Sequence, residues 1–392
     1  MKWIYIPVAV ALLSMYTALN YYIGLRGAQA FALILNSRGL RVGWILFWVA
    51  VYLYPGARFL QRWIPSPLDR WLIHAGSYWM AVMVYLLMIV IILDAGRLLL
   101  GASTVNISVP TWVKPAAGVL VMFTVLVLLV YGTWNARNPR VVYYQVNLSP
   151  GNDSGAKGKT IQTAMVSDIH LGTIIRNNRL EKLVRQLSEL NPDLILFVGD
   201  IIDENVNHFI DEQMDKTLGE LNPPLGMYAV LGNHEYYGGH LEEIVLHLEQ
   251  AGIKVLRDEG HMIAGTFYLA GREDLASEQM LRKPRKPLNE VIAGTDPYRI
   301  PVVLMDHQPK TWSEARDAGV RLQVSGHTHR GQLFPFGWIT QRLFDEDWGK
   351  LEQDGGTLIV SSGYGTWGPP IRTGNRPEIV MITLLSQEGP LN

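Results

Sequence analysis

The chain has 392 residues and a formal net charge of −1, a near-neutral total that conceals two halves of opposite sign. Residues 1–140 hold eleven Lys/Arg against two acids, Asp69 and Asp94, and residues 141–392 hold 23 against 33, which excludes a uniform soluble globule. There is no cysteine, so disulfides, thiolate nucleophiles and Cys-ligated zinc are excluded as well.

The first third reads as membrane. Trp3–Leu25 carries no charge, and Trp71–Leu93 and Pro115–Ala136 contain no Asp, Glu, Lys or Arg. Each is long enough to cross a hydrocarbon core of about 30 Å. Val42–Ala57 is shorter, but Arg41 and Arg58 at its ends can snorkel. Four spans are expected, with this one the weakest and a three-span version with a re-entrant segment as the alternative. Trp and Tyr cluster near the ends (Trp3, Tyr21, Tyr22, Trp44, Trp71, Trp112, Trp134), as interfacial belts do. The first run is too long for a signal peptide, and no small-residue cleavage site follows it cleanly. Asp94 and Arg97 read as an interfacial ion pair. An even span number puts the N-terminus and the C-terminal domain on one side. That side has Lys2, Arg58, Arg62, Arg70, Arg137 and Arg140, against Arg26, Arg38, Arg41, Arg97 and Lys114 opposite. Six against five favours, by one charge, a multi-pass cell-membrane protein with its C-terminal domain in the cytoplasm.

The transmembrane domain is expected over residues 1–140. A Gly/Ser/Asn-rich linker follows over 141–159, then a second domain over 160–385 and a tail over 386–392. From Thr160 short apolar runs end in polar clusters: IQTAMVSDIH, DLILFVGDIID, GMYAVLGNHE, FYLAG, IPVVLMDH, VRLQVSGHTH, TLIVSSG and EIVMITLL. Between them, Asn178–Leu190 and His240–Ala251 repeat apolar residues at helical spacing. Alternating strands and helices indicate an α/β domain.

Several of these strands end in metal-type ligands: Asp168 and His170, then Asp200 with Asp203 beyond, then Asn233, His234 and Glu235, then His307, then His327 and His329. Strand-end loops are where α/β folds place their sites. Carboxylate, imidazole and amide ligands without sulfur suit Mn²⁺, Fe or Zn²⁺. Seven good ligands (Asp168, His170, Asp200, Asn233, His307, His327, His329) exceed what one ion needs and point to two ions sharing a carboxylate. Two such ions about 3.5–4 Å apart can hold a hydroxide and polarise a phosphoryl oxygen. Gly199, Gly232 and Gly326 let the backbone turn where a strand delivers its ligand.

Asp168-x-His170, Gly199-Asp200-x-x-Asp203, Gly232-Asn233-His234-Glu235, His307 and Gly326-His327-Thr328-His329 resemble, in order, the five motifs of the calcineurin-like metallophosphoesterase superfamily. The GHTHxGQ extension (Gly331, Gln332) and the late Gly363-x-Gly365 and Pro370-Ile371-Arg372 segment resemble its membrane-associated YkuE/YaeI-like bacterial branch. The resemblance covers about Thr160–Leu385. It implies a four-layer α-β-β-α sandwich, here preceded by an α-helical transmembrane domain, with two divalent metal ions, manganese foremost and iron or zinc as alternatives. It implies one ion on Asp168, His170, Asp200 and His329, and the second on Asp200, Asn233, His307 and His327. Asp200 and His234 become the catalytic residues, with His234 contacting the phosphate and protonating the leaving group. Arg372 is expected to bind a phosphate oxygen, with a structural ion pair as the competing role. Asp203 is expected to hold a histidine or cap a turn rather than ligate, and His240 to lie on the surface. Two departures from the pattern are Asp306, placed to tune His307, and a basic loop over Ser277–Arg299 expected above the site. The aromatic stretch Leu333–Phe344 either packs inside the sandwich or dips into the bilayer interface, and the interface is preferred.

The functional expectation is a membrane-embedded dinuclear phosphoesterase in which a hydroxide held between the ions attacks phosphorus. Its partners would be the lipid bilayer and a lipid-linked phosphate, pyrophosphate or phosphodiester, with no nucleic acid. The competing readings are a soluble nucleotide or nucleotide-sugar substrate with the helices as anchor only, and a non-catalytic sensor or transporter. The latter has little polar content in its spans to support it.

Overall fold

The computed structural model describes residues 5–61, 63–102, 110–149, 159–203 and 206–386. Lys2, Trp3, Arg62, most of the glycine-rich stretch (150–158) and the tail beyond 386 lie outside the described residues. The chain divides into two compact units, Met1–Thr133 with Gly368–Ile371, and Trp134–Trp367 with Arg372–Asn392.

Four helices make up the N-terminal region: α1 (Tyr5–Phe31), α2 (Ser37–Leu60), α3 (Leu68–Ala102) and α4 (Val113–Ala136). All four are long and apolar enough to cross a membrane. A helix suits that environment because it closes its own backbone hydrogen bonds. Val42–Ala57 proves to be the middle of a full 24-residue helix. Asn36 caps its start by accepting from the Gly39 N–H, and Arg58 lies in its last turn. Gly76 lets α3 approach α2, since a Cβ there would stand 2.6 Å from the Tyr54 backbone nitrogen. Asp94 pairs across helices rather than with Arg97: it meets Arg26 at 2.8 Å and accepts the Tyr22 hydroxyl at 2.5 Å. A guanidinium and a phenol from α1 satisfy two lone pairs of this carboxylate at once, which a neighbour on its own helix does not.

The second unit is built on twelve strands: β1 (Arg140–Asn147), β2 (Lys159–Val166), β3 (Leu194–Val198), β4 (Met227–Val230), β5 (Ile253–Val255), β6 (Glu259–Ile263), β7 (Phe267–Gly271), β8 (Val302–Met305), β9 (Leu322–Ser325), β10 (Gly349–Gln353), β11 (Gly356–Val360) and β12 (Glu378–Ser386). They form two six-stranded mixed sheets, in the orders β1-β12-β2-β3-β4-β5 and β10-β11-β9-β8-β7-β6. β2 to β5 run parallel in the first sheet, and β7, β8, β9 and β11 run parallel in the second.

Side-chain alternation along each strand explains the layering. Leu194, Leu196 and Val198 of β3 and Val303 and Met305 of β8 enter one core shared by the two sheets. Ile195 and Phe197 face the other way, against Leu180, Leu183 and Leu187 of helix α5 (Asn177–Leu190) and Ile244 and Leu248 of the helix Leu241–Gln250. Val302 and Leu304 meet Trp312, Ala315, Leu288 and Val291 on the far side of the second sheet. The result is a four-layer α-β-β-α sandwich. Strands buried on both faces read as continuous apolar runs, as these do, and each buried Leu, Val or Phe contributes about 1.5–3 kcal/mol of transfer free energy.

Two expectations are corrected. Part of the segment read as linker is the edge strand β1, in parallel register with β12 from Arg140↔Glu378 to Asn147↔Leu385. Its partner lies more than 230 residues away, so nothing local signals the pairing. The basic stretch Ser277–Arg299 is not free above the site. It is fastened to the outer face of the second sheet through Leu288, Val291 and Ile292, and Arg285 donates to Asp306 at 3.1 Å.

Candidate metal centre

The parallel strands deliver their C-terminal ends to one edge of the sandwich, and each ligand motif is the turn that follows. Asp168 and His170 follow β2, Asp200 and Asp203 follow β3, Asn233 and His234 follow β4, His307 follows β8, and His327 and His329 follow β9. The turns are laced to one another: Asp168 N–H donates to Gly199 O, His170 N–H to Asp200 O, and Gly326 N–H to His307 O. Sharp turns here need left-handed backbone. Asp168, His170, Asp200, His327 and His329 all have φ between 46° and 70°, a region that non-glycine residues rarely occupy and that concentrates at functional sites. Gly199 sits at φ 76°, and a Cβ on it would meet the His307 ring. A Cβ on Gly326 would meet the Asp168 carboxylate, so both glycines are fixed by the close approach of a ligand.

The side chains converge in two clusters whose candidate ligand atoms lie within 4.8 Å of one another, Asp168–His170–His329 and Asp200–His307–His327. In the first, His170 Nε2 stands 3.0 Å from His329 Nε2, and His329 Nε2 stands 3.4 Å from Asp168 Oδ1. In the second, His307 Nε2 is 3.3 Å from Asp200 Oδ2, and His327 Nδ1 is 2.8 Å from Asn233 Oδ1. Asp200 Oδ2 also lies 3.9 Å from His170 Nε2, so it faces both clusters.

This donor set fits divalent cations. His307 Nδ1 lies 2.8 Å from Val198 O, an acceptor that turns the other ring nitrogen inward, and that Nε2 is buried without a hydrogen-bond partner. Burial lowers His170 to about 4 and His327 to about 3. Burial, followed by the charges of His170 and Arg372, carries His329 well below its ordinary value. Three imidazoles are thereby kept neutral, the state a metal ligand requires. Burial pushes Asp200 up, but His307 and the neighbouring imidazoles outweigh it and hold the carboxyl well below the carboxylate range. Burial raises Asp168 to about 6. Burial alone would lower His307, yet the charge of Asp200 raises it well above 6.5. The proton on His307 stands where a cation would supply positive charge.

His234 and Asp203 form a separate device. His234 Nδ1 lies 3.1 Å from Asp203 Oδ1, and the His234 N–H donates to Asp200 Oδ1. Burial lowers the imidazole, but the bond to Asp203 and the charge of Asp200 outweigh it and lift His234 to about 9. Asp203 thus grips His234, and its carboxylate also falls within 4.8 Å of His170.

Glu235 has a role that the sequence reading passed over. It is fully buried, and its carboxylate accepts the N–H groups of Asp200 at 3.1 Å, Ile202 at 2.9 Å and Gly232 at 2.7 Å. It thereby ties the turn after β3 to the turn after β4. Its position beside Asn233-His234 was the only signal. Gln332 is another: it exchanges two hydrogen bonds with the Trp367 backbone.

Arg372 departs from expectation. Its side chain is fully buried and its five N–H donors are engaged by Gly365 O twice, Ser362 O, Asn375 Oδ1 and His329 Nδ1. It braces His329 and its loop, and it is closed off from solvent. Arg372→Lys, with three donors for five, is expected to lower stability by about 2–4 kcal/mol, read as a fall in Tm. A raised KM at unchanged Tm would restore the phosphate-binding role. Asp306 likewise points away from the cluster and accepts from Arg285 and Thr311. His240 pairs with Glu243 on the surface.

Comparison with known proteins meets the geometry at this point. Residues 161–331, from β2 to the last ligand turn, match the calcineurin-like phosphoesterase family. An uncharacterized metallophosphoesterase of Aquifex aeolicus is 38% identical over 58% of this chain and 86% of its own length. The transmembrane protein with metallophosphoesterase domain of Danio rerio is 32% identical over 68% of this chain, which spans only 62% of that relative. The uncharacterized metallophosphoesterase YkuE of Bacillus subtilis is 30% identical over 56% of this chain and 77% of its own length. With this similarity, and with every ligand-bearing turn gathered at one sheet edge, the chain belongs to the calcineurin-like metallophosphoesterase family and is a membrane protein carrying a metal-dependent phosphoesterase.

Proposed function

We propose that the protein hydrolyses a phosphate ester or pyrophosphate of a lipid-linked substrate, at a pair of divalent ions for which the donor set suits manganese, iron or zinc. The observation that carries this reading is the pair of ligand clusters facing Asp200 in a chain whose last apolar helix ends three residues before the first strand of the hydrolase. Asp168, His170, Asp200 and His329 would hold one ion, and Asp200, Asn233, His307 and His327 the other. Bound there, the ions supply Lewis acidity to a phosphoryl oxygen and lower the pKa of the attacking water.

The protein's own groups do the rest. Asp203 engages Nδ1 of His234, which leaves the Nε2 proton to meet a phosphoryl or leaving oxygen. The short helix Asn233–Tyr237 fixes that ring, because its Glu235 is fastened to the turn after β3 as well as to its own N-cap. Tethering to the bilayer raises the effective concentration of a lipid substrate without any added contact.

Purified full-length protein loaded with Mn²⁺ should turn over p-nitrophenyl phosphodiesters, and lipid phosphates in mixed micelles faster than soluble nucleotides. A preference for nucleotides that is indifferent to lipid would overturn the lipid assignment. Since His234 is protonated up to about 9, the acid form is the active one at neutral pH and is lost as pH rises through that value. Asp203→Asn removes the group that lifts it. The basic limb of the pH–rate profile should move down by about one unit, so the rate should fall by about twofold near pH 8 and by close to tenfold near pH 10. An unmoved basic limb would argue against this role.

A further inference from the structure

From Arg140 onward, eleven large apolar side chains among the described residues are exposed. Five are dispersed: Tyr143, Leu246, Met280, Leu281 and Tyr298. Isolated cases of this kind are ordinary. The other six, Tyr237, Phe334, Trp338, Ile339, Leu343 and Trp367, belong to three segments that border the metal centre. Tyr237 and Trp367 place their rings 6.0 and 6.4 Å from His234, and Phe344 places its ring 6.3 Å from His327. Phe334 and Trp338 meet edge to face at 5.3 Å.

The carrier of three of these is the helix Gly337–Leu343, none of whose residues is buried. It is not part of the sandwich core, so the first of the two expectations for Leu333–Phe344 does not hold. The helix is nonetheless held firmly. Thr340 donates to Asp347, whose carbonyl accepts the hydroxyl of Thr328, the residue between the two ligand histidines. Gln332 in turn clamps Trp367 to the same turn. An apolar rim fixed to these turns, and left uncovered by the described residues of its own domain, is built for a surface.

We propose that this rim is where the phosphoesterase domain lies on the bilayer, with the residues of Gly337–Leu343 and Trp367 inserted at headgroup depth so that the metal centre meets phosphate at the interface. The proposal rests on the lipid-substrate reading and names the surface that serves it. The occupant follows from the chain. Residues 137–139 join α4 to β1, a connection of at most about 10–14 Å fully extended, so the first strand begins within that reach of the last apolar helix. The rim's chemistry agrees, because Trp, Tyr and Phe beside aliphatic residues are the composition of interfacial segments. Charge contributes little: Arg342 is the single cation of the helix, and the acidic run Asp345-Glu346-Asp347 begins three residues after it. Contact is therefore driven by insertion, and it is insensitive to anionic lipid and to salt.

The absence of native cysteine permits a direct test. Trp338→Cys and Leu343→Cys, with Leu246→Cys and Tyr298→Cys as controls, are labelled with a polarity-sensitive fluorophore in full-length protein, one copy per phosphatidylcholine nanodisc. All four positions are exposed, so folding does not decide the outcome. Doxyl-labelled phosphatidylcholine should quench the labels at 338 and 343 at least about threefold more than the controls, equally with or without phosphatidylserine. Equal quenching at all four positions overturns the proposal, as does shielding at 338 and 343 that persists without lipid quenching, the signature of a protein partner. The readout needs no turnover. Failure of every lipid phosphate as substrate would sink the proposed substrate and leave the docking surface standing, and failed quenching beside lipid turnover would do the reverse.

Discussion

Asp200→Asn is expected to reduce phosphoesterase turnover by about a thousandfold or more and to lower the metal content per chain measured by elemental analysis. Asp200 is the carboxylate that faces both ligand clusters, at 3.3 Å from His307 Nε2 and 3.9 Å from His170 Nε2, and its other oxygen accepts the His234 N–H. Asparagine keeps the shape and one acceptor, so the fold should survive. It removes the charge that binds cations and places an amide N–H₂ against an imidazole or a backbone N–H. Both clusters weaken together, so the loss exceeds what removal of a ligand from one cluster alone would give. Wild type and variant equally inert with Mn²⁺, Zn²⁺ and Fe would end the enzymatic reading.

Glu235→Ala should be the most damaging single change to stability in this region, with a loss of about 3–5 kcal/mol and a matching drop in Tm. Three buried backbone N–H groups, those of Asp200, Ile202 and Gly232, would lose their only carboxylate acceptor, in a space where water has little entry. Burial and the nearby Asp200 charge push the Glu235 carboxyl up to about 7, so its retention against that penalty marks a positioning role. Glu235→Gln should fall between the two, because it preserves one acceptor oxygen while turning an N–H₂ toward a donor. Equal thermal stability of Glu235→Ala and wild type would show that the turns hold without it.

The gathering of Asp168, His170, Asp200, Asn233, His307, His327 and His329 was legible in the sequence because each sits two to four residues past an apolar run of strand length, and a parallel sheet carries all such ends to one edge. The helices Asn177–Leu190 and Leu241–Gln250 were legible for the same kind of reason, since their apolar residues recur at helical spacing. What was not legible depends on distant partners. β1 looks like a tether because its neighbour is β12. Arg372 looks like a phosphate ligand because the Gly365, Ser362 and Asn375 acceptors that enclose it cannot be foreseen from spacing. Asp94 looks paired with Arg97 because a cross-helix contact with Arg26 leaves no periodic trace. Glu235 carried no signal beyond its motif, as its work lies in backbone bonds.

β12 separates β1 from β2 in the first sheet, parallel to one and antiparallel to the other. A ribosome therefore releases β1 and β2 more than 200 residues before the strand that must come between them. Until that late segment emerges, β1 and β2 have open edges beside a freshly inserted membrane helix, exposed to mispairing or to a chaperone. Stop codons between positions 330 and 378 should then yield chains that retain every candidate metal ligand and still fail to mature, which makes proteolytic sensitivity of such fragments in cells a sharper measure of this topology than any point mutation.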